Sequence, residues 1–171
     1  MSTEVQSKLN QTRDVPVVVV AMSTFNDTER AVKAVESIFQ SQTRAIVKAV
    51  VVDDGSEQET VDALAELGER YEHCHFMPRP HRERGFARHE AIEESIALDA
   101  GYILFMDADM ELDPKAIDQC LLAVKQSGAG AVLLREIPHS SFDNFATQVK
   151  VFERHILNNS QQQITQDSIE A

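Results

Sequence analysis

After 14 polar, aperiodic residues that read as a disordered leader (1–14), the chain turns apolar in VPVVVVAM, residues 15–22. An unbroken run so rich in β-branched side chains predicts a strand buried on both faces. The period then changes to that of a helix. In NDTERAVKAVESIFQ (26–40), Ala31, Val32, Val35, Ile38 and Phe39 fall on one helical face, with Asn26 or Asp27 as the N-cap. The alternation recurs. AIVKAVVV (45–52) predicts a second strand, and SEQETVDALAELGERY (56–71) a helix whose Ser56 and Glu59 have capping-box spacing. HCHFM (73–77) predicts a short strand, followed by a basic loop and a helix from Gly85 to Asp99 that Gly101 terminates. YILFM (102–106) predicts a fourth strand, and Asp113-Pro114 the start of a helix running to Ser127. AVLLR (131–135) predicts a fifth strand and FDNFATQVKVFERHIL (142–157) a last amphipathic helix. The glutamine-rich tail, 159–171, has no pattern of its own.

Strands and helices alternating at this spacing predict an α/β domain over residues 15–158, with a Rossmann-like, mostly parallel sheet and helices on both faces. In such sheets ligands bind beyond the carboxyl ends of the strands. That directs attention to the residues just after Met22, Val52, Met77, Met106 and Arg135.

Chemistry is concentrated there. DDGS (53–56) follows the second strand; a turn with a helix cap accounts for Gly55 and Ser56 but not for a second acid at Asp54. The fourth strand ends in DAD (107–109). Residues two apart in an extended segment point the same way, so Asp107 and Asp109 are expected to face one site. Two carboxylates about 4 Å apart at an effective dielectric near 20 repel by roughly 4 kcal/mol, which calls for positive charge beside them. Carboxylate oxygens suit Mg²⁺ or Mn²⁺, hard cations usually shared with substrate phosphates. The positive side chains are close in sequence. PRPHRERGFARHE (78–90) carries Arg79, Arg82, Arg84 and Arg88, and arginines in front of a helix N-terminus make a phosphate site.

Composition narrows the classes. A net charge of −12 over 171 residues argues against a general nucleic-acid binder. The two cysteines, Cys74 and Cys120, have neither metal-ligand spacing nor a disulfide framework, which suits a reducing cytoplasm. The N-terminal residues lack the apolar core of a signal peptide, and no run approaches the ~20 apolar residues of a transmembrane helix. No GxGxxG follows the first strand, and GxxxxGK[ST] and GxSxG are absent.

Taken in order, VVVVAMSTFN, SIFQSQT, VVDDGS, RGFARHEAI and YILFMDADMELDP resemble the nucleotide-sugar-binding half of family 2 glycosyltransferases of the GT-A fold, over about residues 15–135. Phe25-Asn26 stands where that family has Tyr-Asn, and Ser41-Gln42-Thr43 matches its Ser-Gln-Thr. The resemblance implies that Asp54, with Asp53 beside it, binds the nucleotide base, usually uracil, and that Ser23 and Phe25 border that base. It implies Arg84 or Arg88 near the diphosphate, and Mn²⁺ or Mg²⁺ on Asp109 with Asp107 assisting. The implied partners are a UDP-sugar and a sugar or lipid-carrier acceptor. The family's general base lies in a further half of the enzyme, so the tail at 159–171 is expected to begin a missing acceptor-binding half, and no catalytic base is assigned. Two other readings remain open on the residues alone. One is a non-catalytic nucleotide-sugar- or partner-binding domain. The other is a nucleotidyltransferase, whose Gly-rich loop after the first strand is not matched by STFND.

Overall fold

The structure is a computed structural model, and it describes residues 15–137. The element order is β1 (Val17–Thr24), α1 (Thr28–Phe39), β2 (Ile46–Asp54), α2 (Gln58–Arg70), β3 (Cys74–Arg79), α3 (Arg84–Ala97), β4 (Tyr102–Asp107) and α4 (Ala116–Ser127). The four strands form one sheet in the order β3-β2-β1-β4, and every pairing is parallel. The α/β architecture expected from the alternating pattern is therefore present, with helices on both faces.

Period-two alternation on β1 builds two cores. Val18, Val20 and Met22 pack with Ala31, Ala34, Val35 and Ile38 of α1, Leu64 and Leu67 of α2, and Ile117 of α4. Val17, Val19 and Ala21 face the other way, against Val50 and Val52 of β2 and Ala87 and Ala91 of α3. Burial on both faces explains why β1 is a continuous apolar run. On α1 the buried set steps by three and four residues, and Phe39 lies at its margin, stacked on Tyr71 with ring centroids 4.3 Å apart. β4 forms the sheet edge among the described residues, and its Phe105 is 57% exposed.

Several local expectations are corrected. Ser56 and Glu59 form no capping box: helix α2 begins after Glu57 without a side-chain cap. The Ser56 hydroxyl instead donates to Asp53 and accepts the Asn26 N–H at 2.8 Å. Asn26 in turn accepts the Glu57 N–H at 2.8 Å and clasps two neighbouring turns together, while Asp27, the other expected cap, holds the N-cap position of α1 without a side-chain cap bond. Asp113 caps no helix either; it accepts the Lys115 N–H at 2.8 Å in the turn before α4. Gly101 is not the left-handed stop after α3. Asp99 takes that conformation, at φ 62°, while Gly101 donates to the Val17 carbonyl at 2.9 Å, where a Cβ would sit a tight 3.3 Å from that oxygen.

The largest difference lies at 131–135, where the fifth strand was expected and no regular secondary structure is present. β-Propensity makes a strand only when a neighbouring edge supplies the ladder, and among the described residues none pairs with this segment; Leu133 is 99% exposed. The chain divides into two compact units, Met1–Gly128 and Ala129–Ala171. The expected leader at 1–14, the helix at 142–157 and the tail at 159–171 lie outside the described residues. Among those described, no helix is long and apolar enough to cross a membrane.

Two outcomes follow from the core. Ile38→Ala should cost about 2–5 kcal/mol, read as a lower urea midpoint at unchanged m-value, because Ile38 is fully buried. Burial also pushes the Cys74 thiol up to about 11 from 9.0. The native chain holds that proton more tightly than the unfolded chain, so this contribution to stability is complete below pH 9.0 and is lost as pH rises toward 11. Iodoacetamide at pH 8 should accordingly leave Cys74 unmodified until the chain is unfolded in urea.

Candidate functional site

Parallel register brings the strand ends together. Thr24 lies opposite Asp53, Ser23 opposite Asp107, and Asp54 opposite Arg79. The acids that end β2 and β4 thus flank the end of β1 on one rim.

Asp53 is 1% exposed. Its Oδ2 accepts the N–H groups of Gly55 at 3.2 Å and Ser56 at 3.0 Å, and its Oδ1 accepts the Ser56 hydroxyl. That carboxylate organises the turn. Gly55 adopts φ 82°, a left-handed conformation that glycine enters without a Cβ penalty.

Asp54 points to the loop after β3. Its Oδ1 accepts the Arg82 N–H at 2.9 Å and its Oδ2 the Glu83 N–H at 3.2 Å. His81 Nδ1 lies 2.9 Å from the Asp54 carbonyl and 3.1 Å from Oδ2. Both neighbours are acceptors, so Nδ1 carries the proton in this arrangement. The imidazole also lies against the half-exposed ring of Phe25, with centroids 4.7 Å apart and a 32° tilt.

The arginines have divergent surroundings. Arg79 pairs with Glu90 at 2.6 Å, and Arg82 lies over the Phe86 ring at 4.6 Å. Arg88 reaches Asp107 Oδ1 at 2.5 Å. Arg84, the first residue of α3, is exposed, and its side chain has no charged or hydrogen-bonding partner among the described residues.

Asp107 and Asp109 do not share an extended segment. β4 ends at Asp107, whose carbonyl accepts the Met110 N–H at 3.1 Å, and the chain turns through Ala108 and Asp109. Asp107 therefore meets Arg88 from α3, while Asp109 Oδ2 lies 3.8 Å from Arg30 of α1, a helix packed on the opposite face. Arg30 is itself held by Asp27 at 2.7 Å. The positive charge demanded by adjacent acids is present as one arginine for each.

Sequence reasoning missed Arg30 as a neighbour of the acidic pair, and passed over His81 within the basic cluster. Position alone was a signal for Arg30: the first turn of a helix that follows a strand always lies on this rim. Nothing local marked His81.

The donor set fits a divalent cation. Carboxylate oxygens are what Mg²⁺ or Mn²⁺ takes from protein when phosphate oxygens complete its shell, and each of the two exposed acids here is a donor of that kind, although they are turned apart toward Arg88 and Arg30. Among the described residues no group of three or more His, Cys, Asp and Glu side chains could hold a metal ion. The two cysteines are free, and burial raises both thiols, so neither is poised as a nucleophile.

The acids should separate by stability. Asp53→Ala strands two amide donors and a hydroxyl, and is expected to lower unfolding free energy by about 2–3 kcal/mol. Asp109→Ala should stay within about 0.5 kcal/mol, since its one ion pair among the described residues is exposed. Urea unfolding of the two variants measures the difference.

Comparison with known proteins gives the family. Residues 19–170 match the family described as Glycosyl transferase family 2. No curated protein matches the chain in sequence. Among solved structures, S. aureus TarS 1–349 superposes with a TM-score of 0.56 at 14% identity, over 72% of this chain and 40% of that one. Its complex with UDP gives 0.58 at 17% identity, over 75% and 40%. The mannosyltransferase PcManGT from Pyrobaculum calidifontis, in complex with GDP-Man and Mn²⁺, gives 0.52 at 18% identity, over 71% and 38%. The chain thus spans 40% or less of the length of these proteins. At such identities the likeness establishes the fold, that of the GT-A glycosyltransferases, and with the family match it identifies the chain as a member of glycosyl transferase family 2.

Proposed function

We propose that residues 15–137 carry the donor-binding rim of a glycosyltransferase that takes a nucleoside diphosphate sugar, UDP-linked, for transfer to an acceptor hydroxyl. One observation carries it: the acids ending β2 and β4 flank the end of β1, with the basic N-terminus of α3 beside them. The base is assigned to Asp54, Phe25 and Ser23, with Asp53 holding the turn beneath. The diphosphate is assigned to Arg84 and Arg88, where the N-terminal dipole of a 14-residue helix adds to the guanidinium charge. Asp109, with Asp107, would hold Mn²⁺ or Mg²⁺. A divalent cation bound there supplies Lewis-acid stabilisation of the departing nucleoside diphosphate. Arg88 would then release Asp107 to the cation and turn to phosphate oxygens, exchanging one charge partner for another.

Solved relatives support the ligand class without fixing the base. TarS structures hold UDP and UDP-GlcNAc, and the PcManGT structure holds GDP-Man with Mn²⁺. The choice of uracil rests on Asp54. A second reading is a domain that binds the nucleotide sugar without transferring it, since no described residue is assigned as an acceptor-activating base. The free thiols of Cys74 and Cys120 support a cytoplasmic location.

Calorimetry in Mn²⁺ with UDP, CDP, ADP and GDP tests the base assignment. UDP should bind about tenfold more tightly than the purine nucleotides, a difference of about 1.4 kcal/mol; equal affinities would remove Asp54 from the base site. Asp109→Ala should abolish the gain in UDP affinity that Mn²⁺ confers, and Asp107→Ala should reduce it less.

Transfer requires an acceptor pocket and a base within about 3 Å of the attacking hydroxyl. Neither Glu136 nor Asp143, which lies outside the described residues, is assigned that role. The 171-residue chain is expected to bind UDP-sugar and Mn²⁺ without glycosylating a panel of sugar and lipid acceptors. Product that disappears in Glu136→Gln or Asp143→Asn would show the short chain to be complete.

A further inference from the structure

In the ligand-free chain, Asp54 is already fully engaged. Its side chain is 8% exposed, and Arg82 N–H, Glu83 N–H and His81 Nδ1 converge on its two oxygens at 2.9, 3.2 and 3.1 Å. The Phe25 face is engaged too, by the same imidazole at 4.7 Å between centroids. A base intercalated between those rings would need them roughly twice as far apart. One heteroaromatic side chain thus lies on the aromatic wall and directs a ring N–H to the carboxylate. Those are the two contacts assigned above to a nucleobase.

The loop is fitted to this position at some expense. Glu83 adopts φ 121°, ψ 147°, a region that L-residues avoid and that persists only when the surroundings impose it. Gly55 makes the docking possible: a Cβ there would stand 2.5 Å from His81 N. Arg82, on the same loop, lies over Phe86 of α3, so displacement of the loop would also disturb that contact.

We propose that His81, with the Arg82 and Glu83 amides, is an internal competitor for the nucleobase. Residues 80–83 occupy the Asp54–Phe25 corner in the free chain, and a nucleoside diphosphate binds there only as this loop lifts. His81 is a gating residue and takes no part in the transfer chemistry. The inference rests on the base assignment above and adds an affinity penalty set by the docked loop. The apparent dissociation constant is the intrinsic one divided by the fraction of chains with the loop lifted.

The test combines UDP calorimetry in Mn²⁺ with amide hydrogen exchange across 80–84, on the full chain and its His81→Ala variant. Removing the imidazole should tighten UDP binding by about tenfold, one hydrogen bond's worth of competition. The Arg82 and Glu83 amides should be protected in the free chain and exchange faster once UDP is bound. Unchanged or weaker binding in His81→Ala would overturn the proposal and make the imidazole either a bystander or a wall of the base site. Amides that stay equally protected with UDP bound would also overturn it. Absence of UDP binding in both proteins would remove the base assignment and this inference together. Amide exchange in the free chain needs no nucleotide and separates the two: unprotected Arg82 and Glu83 amides there would overturn this inference alone.

Discussion

Asp53 is a carboxylate almost without solvent, and the rim is arranged around it. A buried charge survives only when hydrogen bonds replace its hydration, and here the Gly55 and Ser56 amides and the Ser56 hydroxyl do so. Fixing Ser56 fixes Asn26, whose N–H it accepts, and Asn26 fixes Glu57. The turns after β1 and β2 thereby become one unit. Because Asp53 is consumed by the turn, Asp54 is the acid left to face the neighbouring loop. A double aspartate at a strand end has a division of labour: one residue shapes the backbone, and the next presents a carboxylate.

The acids of β4 solve a different problem. Asp107 and Asp109 would repel if they faced one point, and the turn at Ala108 divides them between Arg88 and Arg30. These ion pairs are exposed, so each contributes little to folding. Weak pairing suits a site that must exchange partners: a carboxylate held by a solvated arginine can be surrendered to a cation at small cost. Under the proposed function the donor's phosphates would supply the cation's remaining ligands, and Arg84 stands at the N-terminus of α3 without a counter-charge among the described residues.

Legibility in the sequence followed the range of the interactions. The strands β1 to β4 and the helices α1 to α4 were readable because hydrophobic period reports burial, and burial decides these elements. The rim was readable because parallel βα units place every strand end on one side. Caps were not: Ser56 and Asn26 have the right side chains for capping, but the buried Asp53 and the facing turn compete for the same hydroxyl and amide. The fifth strand was overcalled at 131–135, where propensity is high and no partner strand is present among the described residues. The separation of Asp107 from Asp109 depends on a turn that begins at Ala108, where an extended reading carries the strand through Asp109. His81 was invisible as a neighbour of Asp54 because its contacts bridge 27 residues and rest on Gly55 leaving room for the loop backbone.

The central claim is that this rim binds a nucleoside diphosphate, with its divalent ion at the end of β4. Crystals of the chain grown with UDP and Mn²⁺, measured for the anomalous signal of manganese, test it most directly. The account predicts one strong anomalous peak bonded to a carboxylate oxygen of Asp109 and to diphosphate oxygens, with the uracil ring at Phe25 and Asp54. A manganese peak away from Asp107 and Asp109, or UDP bound elsewhere on the chain, would contradict it.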